Sequence, residues 1–148
     1  MAFHFTLDAV LRYRRSREEQ EQLRLQALLA GRARVLEELH QASDAQRHLR
    51  STIQDALHRA AIPAVELQFA AAQLKGIAGR QERLQSRLAT METQIAEQTS
   101  CYRRERQNHE VLERVREQQF HRYRIVQLRV QQVLLDELYL LGRARERA

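Results

Sequence analysis

Six histidines, one cysteine and two closely spaced glycines are the residues of this 148-residue chain whose types could support site chemistry. To present ligands to a transition metal from a helix, His4, His40, His48, His58, His109 and His121 would have to fall in i, i+4 pairs or join a cysteine cluster, and they do neither. Cys101 stands alone, so no internal disulfide can form; its ordinary role is a small helical side chain in a reducing compartment. There is no P-loop, no G-x-S-x-G and no H-E-x-x-H. Gly76 and Gly79, in "KGIAGRQ", lie inside a helical pattern rather than a phosphate loop. No cofactor, metal or catalytic residue is expected, and a pair of helices offers no concave site for a substrate, so the chain reads as a non-enzyme. Helix glycines cost about 1 kcal/mol each relative to Ala. Their functional reading is a smooth patch, beside Phe69, where another backbone can approach.

The elements that would position these residues are long helices. Turns draw on Gly, Pro, Asn and Asp, yet the chain has four Gly, one Pro and no Trp, with 30% charged residues. Apolar residues follow a heptad seam through Leu7, Leu11, Leu25, Leu28, Val35, Leu39, Ala42, Leu49, Ile53, Ala56 and Ala60. Thr6 is placed to cap this helix, and Asp8 suits its first turn. The pattern breaks at Pro63, which cannot continue a helix interior but fits the start of a new one. A second seam runs from Leu67 through Ala70, Leu74, Ile77, Leu84, Leu88, Met91, Ile95, Tyr102, Leu112, Tyr123, Val126 and Val130 to Val133. The expected fold is all-α: two long helices forming an antiparallel coiled-coil hairpin, with helix 1 over about 7–60, a turn at about 61–65, helix 2 over about 66–142 and stopped by Gly142, and a short basic tail, 143–148.

Polar residues that intrude on the seams support folding back, because desolvated polar groups are least costly when they meet one another. Reflected about Pro63, Gln46 falls beside Gln81, Arg32 near Gln98, Glu18 beside His109 and, unfavourably, Glu21 opposite Glu105. The second helix overhangs the first beyond roughly His121. This overhang includes "VLLDELYLLGRARERA", residues 133–148, where Val126, Val130, Val133 and Leu141 extend the seam while Leu128, Leu135 and Tyr139 form a second stripe. Two stripes on an unpaired helix call for something that surrounds it. No apolar run is long enough to span a membrane, and no signal-peptide core opens the chain, so direct membrane insertion is not expected and a cytoplasmic location is.

Net charge is +6, and Lys75 is the only lysine. Residues 1–17 and 103–148 together hold 15 Arg against 8 acidic residues, whereas 18–102 hold 10 basic against 11 acidic. The positive excess therefore belongs to the terminal end, where Arg12 and Arg15 with Arg122 and Arg124 are candidates for a collar that orients the rod against an acidic partner.

The opening "FHFTLDAVLRYRRSREEQE" and the closing "LLDEL" resemble the ends of the FliJ family of flagellar type III export proteins, and the bend after about sixty residues agrees with that family. The resemblance implies a cytoplasmic coiled coil similar to the central stalk of rotary ATPases. It would act peripherally at the inner-membrane export apparatus of the bacterial flagellum, its terminal end entering the hexameric export ATPase. The region near the bend would meet the cytoplasmic domain of the export gate, and export chaperones would bind as further partners. On that reading Arg12, Arg15, Arg122, Arg124, Leu135, Leu138 and Tyr139 face the ATPase, and Phe69, Gly76 and Gly79 face the gate. The chain would be a monomer in isolation. The alternatives are a self-assembling coiled-coil scaffold and a basic helical nucleic-acid binder. The latter is weakest, since no basic-region helix or helix-turn-helix accompanies the charge.

Overall fold

The computed structural model describes residues 2–59 and 62–147. Among them are two helices, α1 (Asp8–His58, 51 residues) and the longer α2 (Ala64–Glu146, 83 residues), and no strand. The helices pack against each other as a helical hairpin. Ala60 and Ala61, assigned above to the seam and the turn, lie outside the described residues, as do Met1 and Ala148.

The helix ends follow backbone chemistry. Asp8 N–H donates to the Phe5 carbonyl (3.2 Å) and Leu11 N–H to the Leu7 carbonyl (2.9 Å), so α1 begins one residue later than a Thr6 cap would place it. At the bend, Glu66 and Leu67 N–H both donate to the Pro63 carbonyl, at 3.0 and 3.2 Å. Pro63 thus sits at the cap itself, where its missing N–H costs nothing. Gly142 does not stop α2, which continues to Glu146, so residues 143–146 of the expected basic tail are helical. One glycine costs too little to end a helix whose last turn carries Arg143 and Arg145, cations that favour the negative pole of the helix dipole.

The chain forms two compact units, a terminal unit of Met1–Glu19 with Arg103–Ala148 and a middle unit of Gln20–Tyr102. In the middle unit Val35, Ala42 and Leu84 are buried, and Leu25, Leu28, Leu39, Leu49, Ile53, Leu74, Ile77, Leu88, Met91 and Ile95 are half-buried, as their seam positions require. The pairing is antiparallel: Glu21 meets Gln98, Gly31 meets Met91 and Gln46 meets Gln81. At Gly31 a Cβ would lie 2.7 Å from Met91 Cε, so this glycine has an internal reason, the close approach of the opposite helix. Gln81 Nε2 donates to Gln46 Oε1 (3.3 Å), the partner expected from the reflection.

Glu21 and Glu105, set opposite each other by the reflection, belong to different units, and each has a hydrogen-bond donor within its own. The Glu21 carboxylate accepts from Gln98 Nε2 (2.5 Å) and Arg24 Nη1 (2.8 Å), while in the terminal unit Arg14 serves Glu105 (3.5 Å). Arg32 lies at 3.9 Å from Glu92 rather than beside Gln98. Long side chains reach about one turn past the residue directly across, a freedom that a rigid reflection leaves out.

In the terminal unit Phe5 and Leu11 are buried, and Phe3 lies edge-on to Phe120 (5.2 Å between centroids) and tilted against Tyr123 (5.6 Å). Ahead of α1, Phe3 is therefore laid against two aromatic side chains of α2.

Candidate functional site

Beyond Gln127, every described residue of α2 is exposed. Leu128, Val130, Val133, Leu134, Leu135, Leu138, Tyr139, Leu140 and Leu141 retain between 49 and 67% of their accessible surface. At about 100° per residue these positions cover the circumference of the helix rather than one or two stripes. Val126 is 54% exposed and Gln127 half-buried. No helix among the described residues is long and apolar enough to cross a membrane.

The four candidate collar arginines are exposed, and they do not share one level. Arg12 pairs with Asp8 (3.1 Å) and Arg15 with Glu19 (3.5 Å), both i, i+4 surface pairs of α1 worth little individually. Because Phe3 lies against Phe120 and Glu18 against His109, Arg12 and Arg15 lie level with a stretch of α2 that precedes Arg122 and Arg124. The separation along the helix is about 15–20 Å at 1.5 Å per residue. The basic surface is a graded strip rather than a ring.

In the middle unit, Phe69 is 66% exposed, and a Cβ added to Gly76 would meet nothing within 4 Å. Gly76 borders an open groove of about 390 Å³ lined also by Leu49, Gln73, Ile77 and Arg80. Phe69, Gln73, Gly76 and Arg80 follow i, i+4, i+7, i+11 spacing and so share one face of α2. Gly79 belongs to a neighbouring face, where a Cβ would contact Arg83 Nη1 at 3.6 Å. Leu49, Gln73 and Arg80 were missed by sequence reasoning. The helical spacing from Phe69 could have found Gln73 and Arg80, but nothing local to Leu49 marks it as a wall of this groove. Arg80 is anchored by Glu38 (3.6 Å).

Cys101 is exposed, and among the described residues no group of His, Cys, Asp and Glu is arranged to hold a metal ion. No family model, curated protein or solved structure matches the chain.

Proposed function

We propose that this chain is a non-enzymatic, stalk-like component of the flagellar type III protein export apparatus. The far end of α2 enters the hexameric export ATPase, and the face bearing Phe69 and Gly76 meets the cytoplasmic domain of the export gate. Export chaperones are further partners. The observation that carries this reading is the exposed apolar surface around the whole circumference of α2 from Leu128 to Leu141. A flat partner, or one further helix, covers a single stripe of such a cylinder; only a partner that encircles it covers the rest. The arginine excess of the terminal unit and the "FHFTLDAVLRYRRSREEQE" and "LLDEL" ends support the same assignment.

The test is a titration of purified export ATPase with the labelled chain. Saturable binding is expected. Reversing Arg12 and Arg15 to Glu should slow association several-fold at low ionic strength, with the difference vanishing near 1 M salt, where the Debye length is about 3 Å. Absence of binding, with molar mass rising with concentration, would show instead that a second copy covers the apolar end.

Gate binding has its own signature. Gly76→Ala removes a helix-weakening glycine at a position with room for a methyl group, so it should stabilise the chain by up to about 1 kcal/mol. If a partner backbone packs against this face, the same change weakens gate binding. Phe69→Ala should likewise weaken it without altering thermal stability. Gate affinity unchanged in both variants would remove this face from the proposal.

A further inference from the structure

Taking α2 to enter the export ATPase as proposed above, we infer that Arg122, Arg124 and Arg129 of α2, rather than the arginines of α1, make the charged contact, and that the partner surface they fit is a belt of protein carboxylates.

The arginines of the terminal unit are not equivalent. Arg12 lies 3.1 Å from Asp8, Arg14 3.5 Å from Glu105 and Arg15 3.5 Å from Glu19. A carboxylate beside a guanidinium cancels most of its field at a distance, and an acidic partner that approaches the cation meets the anion as well. Arg122, Arg124 and Arg129 are exposed, and none of the three makes a side-chain hydrogen bond or ion pair among the described residues. From Gln118 to Leu135 the chain holds these three arginines and no Asp or Glu. That stretch is about 27 Å of uncompensated positive helix at 1.5 Å per residue.

Their spacing distributes the charge around the axis. Arg122, Val126 and Arg129 share one face of α2, whereas Arg124, Leu128 and Leu135 lie on the opposite one, and all six are exposed. Arg122 and Arg124 differ by about 3 Å in height and by about 200° in direction. A flat acidic surface reaches one of them; a ring of like subunits offers the same carboxylate to both.

Phosphates also attract cations, but the aliphatic side chains that alternate with these arginines stay in water against a phosphate backbone, and a protein surface covers them. Every lysine position in this stretch is an arginine instead, and a planar, weakly hydrated guanidinium matches a carboxylate through two parallel N–H bonds at a dry protein contact.

Two double reversals, Arg122→Glu with Arg124→Glu and Arg12→Glu with Arg15→Glu, change the net charge equally and so separate position from total charge. Association and dissociation of the full-length chain with purified export ATPase are followed for both. The α2 pair should weaken binding at least about tenfold more than the α1 pair and speed dissociation about tenfold. The α1 pair should leave dissociation unchanged, because a charge outside the contact acts on encounter alone. The α2 variant should keep the wild-type melting temperature, since neither side chain has a partner to lose. Polyglutamate at low ionic strength tests the cations without the ATPase, and the same ranking is expected there. If the wild-type chain does not bind the ATPase but the ranking holds on polyglutamate, the export ATPase is rejected and an acidic protein partner stands. Equal effects of the two reversals in either assay overturn the inference. Tighter binding to duplex DNA than to the ATPase at physiological salt, lost in the α2 variant, overturns it in favour of phosphates.

Discussion

If α2 enters the export ATPase as proposed, replacing Leu135 and Leu138 together by Ala is expected to weaken that binding at least about 100-fold while leaving the thermal transition of the free chain unmoved. The size follows from burial: an apolar side chain of this kind contributes about 1.5–3 kcal/mol when fully removed from water, and each 1.4 kcal/mol is a factor of ten. The unchanged stability follows from exposure. Leu135 and Leu138 keep 66% and 65% of their surface in the free chain, so truncation opens no cavity there. Binding and melting measured on the same preparation separate the readings. Wild-type affinity, or a clear drop in melting temperature, would mean that these leucines serve the chain's own packing or a second copy.

The second large effect concerns stability alone. Ala42 is 5% exposed, whereas Ala45, three residues on, is exposed. Ala42→Glu forces a long side chain and a carboxylate into the packed interface, one turn from Glu38, a like charge already committed to Arg80. Overpacking costs about 1–3 kcal/mol and an unpaired buried charge adds further. The melting temperature should fall by roughly 10 °C, given about 2–4 °C per kcal/mol for chains of this size. Ala45→Glu should stay within about 0.5 kcal/mol of wild type, the range of ordinary surface substitutions. Equal melting temperatures for the two variants would refute the packing register of the middle unit.

Much of the architecture was legible because helix periodicity and proline are local signals. Leu11, Val35, Ala42 and Leu84 were placed on the seam by spacing alone and are buried. Pro63 marked the bend because its ring excludes a helix interior. Reflection about it found Gln46–Gln81 and Glu18–His109. What was not legible depends on how far side chains reach and on what lies across the interface. Gln98 donates to Glu21 and Arg14 to Glu105, a choice of partners that heptad counting cannot make. Gly31 carried no signal, since its reason is Met91 on the other helix. Gly142 misled because a helix stop was inferred from one residue whose neighbours favour continuation. Of the candidate sites, the apolar end of α2 was visible as an excess of leucines. Its all-round exposure, and the groove beside Gly76, required the neighbours to be known.

The positions of the cross-helix pairs also bear on how the chain finds its structure. Gln46 and Gln81 close a loop of 35 residues, whereas Glu18 and His109 lie 91 apart. For a flexible chain the entropy of closure grows only with the logarithm of loop length, by about 0.6 kcal/mol per doubling. Contacts near Pro63 therefore close at the least entropic cost, and any contact already made shortens the free chain that another must close. On closure entropy alone, joining Gln46 to Gln81 costs about 0.8 kcal/mol less than joining Glu18 to His109.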